Sequence, residues 1–394
     1  MSLMHVPIER IDRDDLQGLI DGKAREAQNI EYKRETYGGK EADRAEFLAD
    51  VSSFANAIGG DLVIGMDAVN GVPTKFTPFL GNADAELLRL EQMARTGIEP
   101  RIPQLQMRTV SVETGGVVII IRAPKSYRQP HRVIYVGKNR FWARSSAGKF
   151  EPNVDELRAL FIRAPELAER MRQFRQERSD KISSGDTPVR LLDNRCLILH
   201  LVPFSHFEFG PAISIEQVIR DANYFPPFGV KQRRDWQLNL DGITMLMSEQ
   251  AAQQRSYVQI FRSGIIEAVD SCLSREQQSL DLKEIERSIV SYTYLHITGL
   301  RDCGIYPPFA VLVSLVGMKG IRLSLRKTSI TSFIREQIVD REQLYLIEVI
   351  LEQIPTSIAE LALALRPILD QLANVAGSIS SQSFDEEGNF LFQK

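Results

Sequence analysis

Residues 54–67 read FANAIGGDLVIGMD, and the fold of the N-terminal part turns on how this run changes period. Upstream, Phe47, Val51, Phe54, Ala55 and Ile58 recur at the spacing of a helix with one buried face. Gly59-Gly60 then ends the helix with residues that tolerate left-handed backbone angles. Leu62 to Met66 is apolar without interruption, as a strand covered on both faces requires. Further back, residues 26–34 read EAQNIEYKR, where Ile30 and Tyr32 alternate with Glu31 and Lys33. That alternation predicts a half-buried strand carrying Glu31 and Lys33 on one side.

Further along the chain, Asn70-Gly71 reads as a turn, and a helix is expected from about Ala83 to Arg95. Gln104 to Glu113 is expected to pair with Val117 to Arg122 around Gly115-Gly116, and Val133 to Val136 with Arg140 to Arg144 about Gly137-Lys138. Asn153 and Glu156 have the spacing of a capping box, opening a helix that Pro165 is expected to break in two. These elements predict an α+β fold over residues 1–177, a mixed sheet with flanking helices. A polar, aperiodic stretch at 178–190 reads as a linker. Residues 191–394 read as a second, mostly helical α/β domain. It has strands at 197–202, 243–247 and 309–316, helices at 215–222 and 264–272, and a mostly helical last hundred residues.

With 394 residues, 43% hydrophobic and 25% charged, the chain has room for two cores and is neither disordered nor fibrous in composition. Its longest apolar run, Phe309 to Met318, is far short of the roughly 20 residues that cross a bilayer, and no apolar signal segment opens the sequence. Cys196, Cys272 and Cys303 are odd in number and form no CxxC pair, which suits a reducing compartment. The expectation is a cytoplasmic protein with no membrane partner.

Net charge is only −3, but its distribution is informative. Between residues 114 and 150 stand eight cations (Arg122, Lys125, Arg128, Arg132, Lys138, Arg140, Arg144, Lys149) and no acid. Tyr127, Tyr135, Phe141 and Trp142 are interleaved with them. Such a run suits phosphate neutralisation and base stacking; equally it describes a solvated hairpin pair whose rings pack inward. Three carboxylates fall near adjacent strand ends: Glu26, Glu31 and Asp67. Converging anionic oxygens suit Mg²⁺ or Mn²⁺, with Lys33 beside Glu31 to neutralise charge on a phosphate; acids at strand ends are also ordinary solvated surface. Glu26 and Glu31 are five apart, so Glu26 must sit in a loop or bulge for both to face one ion. His131 reads as either an acid-base group or a structural histidine, and Gly38-Gly39-Lys40 lacks the spacing of a phosphate-binding loop.

Residues 26–34, Phe54 to Gly60 and Leu62 to Asp67 occur in the order and spacing of the Schlafen-type AlbA-like domain, which residues 20–160 resemble, as in a bacterial Schlafen-like protein. In animal Schlafens this domain belongs to a metal-dependent endoribonuclease acting on transfer and ribosomal RNA. The resemblance implies that Glu26, Glu31 and Asp67 hold Mg²⁺ or Mn²⁺ and that Lys33 is catalytic. Arg34 and the run from Arg122 to Arg144 would then hold the RNA backbone. The implied activity is endoribonuclease action on transfer RNA or other structured RNA, in defence or stress. Its rival is a non-catalytic regulator that binds DNA or RNA; ATP-dependent signalling is a third reading. Animal Schlafens carry two such lobes and this sequence one, which implies a homo-oligomer. The second domain matches no known activity and is expected to serve dimerisation, sensing or partner binding.

Overall fold

The computed structural model describes residues 3–112, 115–135, 137–207, 213–230, 235–248, 251–271, 279–324, 337–385 and 387–391, without the side chains of His5, Lys138, Arg163, Ala164 and Ser279. The chain divides into two compact units, residues 1–168 and 169–394. Glu113, Val136 and Cys272, named in the sequence reading, lie outside the described residues.

The first unit runs α1 (Arg13–Asp21), β1 (Ile30–Lys33), α2 (Glu41–Ala55), β2 (Gly59–Ile64), β3 (Met66–Val69), β4 (Val72–Phe76), α3 (Ala83–Gly97), β5 (Ile98–Glu99), β6 (Gln106–Val112), β7 (Gly116–Pro124), β8 (Arg132–Tyr135), β9 (Lys138–Phe141), β10 (Ala143–Ser145) and β11 (Gly148–Phe150), and ends inside α4 (Val154–Ser184). Its main sheet has the order β1-β2-β7-β6, with β1 parallel to β2 and the other pairs antiparallel. Both faces of β2 and β7 are covered, which explains their unbroken apolar character. Leu62, Ile64, Ile119 and Ile121 pack with Phe47, Val51 and Phe54 of α2. Val63, Val118 and Ile120 pack on the other face with Leu16 and Leu19 of α1. Helix and strand meet closely at Gly60, where a Cβ would lie 2.2 Å from the Phe54 ring.

Register decides which side chains reach α2. Glu31 lies opposite Leu62 and Lys33 opposite Ile64, so both acquire the α2 face, while Ile30 and Tyr32 enter the α1 core. Gly65, at φ +97°, turns the chain out of β2, so that β3 pairs with β4 rather than continuing the sheet. Asn70 and Gly71, at φ +53° and +74°, make the expected hairpin turn.

Two expectations are corrected at α4. Pro165 lies within one 31-residue helix and does not divide it; a proline removes one backbone hydrogen bond, which water replaces on an exposed turn. Residues 178–184, read as linker, are the last turns of the same helix, and residues 169–184 belong to the second unit. The Asn153–Glu156 capping box is present, with the Glu156 N–H donating to Asn153 Oδ1 at 3.0 Å and the Asn153 N–H to Glu156 Oε2 at 2.8 Å.

The second unit continues with β12 (Cys196–Pro203), α5 (Ile215–Arg220), β13 (Asp235–Leu238), β14 (Gly242–Leu246), β15 (Ser256–Phe261), β16 (Ile266–Asp270), β17 (Ser279–Asp281), α6 (Leu282–Asp302), β18 (Phe309–Val316), β19 (Arg322–Ser324), β20 (Gln343–Tyr345), β21 (Val349–Leu351) and α7 (Ile358–Val375). Its core is an antiparallel eight-stranded sheet, β13-β14-β15-β16-β12-β18-β20 with β21 also on β18. Helices α6 and α7 bury the larger face. Residues 264–272, read as helix, instead contribute strand β16: Gly264 at φ +84° closes a turn, and pairing to β15 and β12 overrides the helix-like spacing of Ile265, Ile266 and Val269. On the opposite face Glu267, fully buried, accepts from Arg178 Nε at 2.7 Å, Tyr257 Oη at 2.9 Å and His200 Nε2 at 3.0 Å. Burial works against the charge, yet Arg178 and His200 outweigh it and hold the Glu267 carboxyl at about 2.

Glu286 on α6 is the opposite case. Its Oε2 accepts from Ser381, at 2.8 Å, and from Ser383, while Oε1 is buried without a partner among the described residues. Burial pushes its carboxyl up to about 7, against the pull of the two serines. A carboxyl raised on folding stabilises fully below its unfolded value, and that contribution is lost as pH rises through 7. Glu286→Gln is therefore expected to remove a pH dependence of about 3 kcal/mol between pH 5 and 8, read from urea unfolding. Wild-type and variant curves that run parallel across that range contradict this.

Candidate nucleic-acid interface

Lys33 emerges from β1 onto the α2 face among three acids: its Nζ lies 2.9 Å from Glu31 Oε1, 2.8 Å from Glu46 Oε1 and 3.4 Å from Asp50 Oδ2. Asp50 is fully buried and also receives Lys149 Nζ of β11 at 2.6 Å and the Tyr37 hydroxyl at 2.6 Å. Burial works against the Lys33 charge, but Asp50 and Glu46 outweigh it and raise its pKa. Burial, reinforced by Asp50, keeps the Tyr37 phenol protonated well above its usual range.

Arg144 of β10 completes this charged layer. It is 5% exposed, pairs with Glu31 Oε2 and stacks 4.0 Å above the Phe54 ring centre. Its Nε is buried without a partner among the described residues, and burial brings its pKa down to about 10 against the attraction of Glu26. Asn56, at the end of α2, fixes the neighbouring strands: its Nδ2 donates to the carbonyls of His131 and Trp142 at 2.9 and 2.8 Å, and its Oδ1 accepts the His131 N–H at 2.7 Å.

A cleft of about 430 Å³ opens between the β3–β4 turn (Asn70, Gly71) and the β10–β11 turn (Ser146 to Gly148). Arg25, Glu26, Glu31, Arg144 and Lys149 line it. Glu26 reaches it from the tight loop the five-residue spacing required: its N–H donates to Gly71 O at 2.6 Å, and its Oε1 accepts the Tyr32 N–H at 3.1 Å. Asp67 does not line the cleft; the Gly65 turn carries it onto β3, where its carboxylate lies 4.0 Å from Lys75 Nζ. Among the described residues, no group of three or more His, Cys, Asp or Glu could hold a metal ion. Glu31, already between Arg144 and Lys33, has its charge balanced without one. As arranged, the donor set expected for Mg²⁺ or Mn²⁺ does not fit such an ion.

The cations of the basic run, expected to form a binding face, are in large part buried or ion-paired. Arg122 is 8% exposed, pairs with Asp61 across the sheet at 2.7 Å, and donates to the carbonyls of Leu3 and Val6. It is an internal strut rather than a phosphate ligand. Arg132 pairs with Glu99 at 2.7 Å, Arg140 with Glu151, and Lys149 with Asp50. Arg34 lies 4.0 Å from Glu35, Lys125 Nζ lies 5.9 Å from the Tyr127 ring, and Arg128 is exposed. The side chain of Lys138 lies outside the described residues. Tyr135 and Trp142 pack on the α2 core and Phe141 on Phe161. His131 is fully buried, with Nδ1 2.6 Å from Pro100 O, and burial lowers its pKa. Counted over residues 1–168, acids and bases are equal in number.

Sequence reasoning missed Asp50, Glu46 and Tyr37. Asp50 left a trace: three residues after Phe47 and four before Phe54, it interrupts an otherwise apolar stripe.

Residues 26–153 match the family described as Schlafen, AlbA_2. No curated protein matches the chain. Among solved structures, the N-terminal domain of an ATP-dependent DNA helicase RecG-related protein from Nitrosomonas europaea is 20% identical with a TM-score of 0.26, over 34% of this chain and 91% of that one. A Corynebacterium diphtheriae protein is 15% identical with a TM-score of 0.24, over 35% of this chain and 29% of that one. Among the described residues no helix is long and apolar enough to cross a membrane.

Arg122→Ala is expected to cost about 3–5 kcal/mol in urea unfolding, because Asp61 is left buried without its cation. Nucleic-acid affinity of the folded variant should not change. A loss below about 1 kcal/mol would return Arg122 to the surface, where pairs are worth little.

Proposed function

We propose that the Schlafen AlbA_2-like unit binds nucleic acid, seating a backbone phosphate in the cleft lined by Arg25, Arg144 and Lys149. The observation that carries this reading is the cleft itself. Three cations, Arg25, Arg144 and Lys149, line this concave site, and clustered donors of that kind suit a singly charged phosphodiester. The family match favours the same class of ligand. With its charges balanced overall, the unit should bind by a few placed contacts rather than by a broad field. This is the regulator reading, in which Glu31 orients Arg144 and Glu26 fixes the loop before β1.

Endoribonuclease action on transfer RNA or other structured RNA, with Mg²⁺ or Mn²⁺, is the second reading. It is favoured by Glu26 and Glu31 sharing the cleft, and it requires Glu31 to leave Arg144. Incubation of the full chain with labelled transfer RNA and Mn²⁺, with and without chelator, separates the two. Retained binding with intact RNA in every lane is the outcome expected. Chelator-sensitive cutting that Glu31→Gln abolishes would replace the first reading by the second, and an absence of binding to both RNA and DNA would end both.

Arg25→Ala, at the cleft rim, is expected to weaken RNA binding across sequences and to flatten the salt dependence by about 0.7 in log–log slope. Replacing Arg128 and Arg140 together by Ala should change affinity less than Arg25→Ala alone, since neither lines the cleft. The reverse ranking in a filter-binding titration would move the nucleic acid onto the β8–β11 face.

A further inference from the structure

We infer that two copies of this chain pair edge to edge through strand β13 of the second unit, joining two eight-stranded sheets across a twofold axis. Among the described residues β13 has β14 as its only strand partner and ends the sheet. Edge strands offer a row of backbone donors and acceptors, and proteins that stay apart protect such rows with charge, proline or a covering element. Here the exposed side chains are Trp236, Leu238 and, in the following turn, Leu240, at 38%, 58% and 92% exposure.

The backbone pattern states which groups face outward. Asn239 and Gly242 exchange both their hydrogen bonds, at 3.0 and 3.3 Å. Antiparallel pairs alternate, so Gln237 with Thr244 and Asp235 with Leu246 are the bonded pairs that follow. Trp236 and Leu238, opposite Met245 and Ile243, therefore turn their N–H and C=O groups away from β14. The same two residues thus present both the outward backbone groups and the exposed apolar side chains.

That coincidence selects a second copy as the occupant. Antiparallel pairing centred on Gln237 sets Trp236 of one copy opposite Leu238 of the other, and the reverse. Both pairs are then of the hydrogen-bonded kind, giving four new backbone bonds. Trp236 and Leu238 share the sheet face of Met245 and Ile243, which lie in the core under α6. In the pair, two tryptophans and two leucines extend this apolar layer across the seam. A chain paired with itself needs no foreign sequence for the match.

Sedimentation equilibrium of the full chain over a dilution series tests this. A reversible monomer–dimer equilibrium is expected. Leu238→Lys puts a charge into the seam, and Leu238→Pro deletes an N–H that β14 does not use; each should raise the dimer dissociation constant at least about tenfold with unchanged far-UV circular dichroism. Ile379→Lys, at a still more exposed apolar position elsewhere, should leave it unchanged. A monomer at every concentration overturns the inference, and so does a dimer that both Leu238 variants leave intact.

Discussion

A carboxylate with no exposed surface, Asp50, is the constraint from which the N-terminal unit's charged layer follows. A buried acid is tolerated only when cations and hydroxyls surround it. Asp50 draws Lys33 from β1, Lys149 from β11 and Tyr37 from the loop between β1 and α2. Two segments far apart in sequence, β1 with its following loop and β11, thereby meet over one turn of α2. With Lys33 so committed, Glu31 turns its second oxygen to Arg144, and the cleft takes its wall from that pair.

The basic run has a related explanation. A surplus of cations in a sequence window says nothing about where their partners lie. Asp61, Glu99, Glu31 and Asp50 all precede the run, and Glu151 follows it directly. The Glu99, Glu31 and Asp50 pairs fasten strands β8, β10 and β11 to the body of the unit, and the Asp61 pair ties β7 to β2. On the reading proposed above, recognition falls to the few cations at the cleft.

The parts of the fold legible in the sequence are those set by period and by glycine. The stripe from Phe47 to Phe54, the unbroken run at Leu62 and the alternation at Ile30 to Lys33 all placed their elements, and the shared face of Glu31 and Lys33 followed from a two-residue repeat. Asp67 falls outside the cleft lining for a local reason. Gly65 was read as part of a strand, whereas its positive φ turns the chain aside and places Asp67 on the β3–β4 hairpin, outside the cleft lining. Asp50 was hidden because apolar periodicity tolerates one polar member, and β16 because pairing with two neighbours decided its state. Such outcomes depend on contacts distant in sequence, which no local pattern encodes.

Gly60 has a reach greater than its size. The missing carbon lets Phe54 lie against the strand, and the Phe54 ring is the platform on which the Arg144 guanidinium rests. Any side chain at that position would push the ring outward, and the guanidinium with it, shifting the pair that walls the cleft. Residue 60 thus acts as a hidden fulcrum: bulk added on the far side of a helix would be transmitted, by hard contact alone, to the rim where a ligand would first be felt.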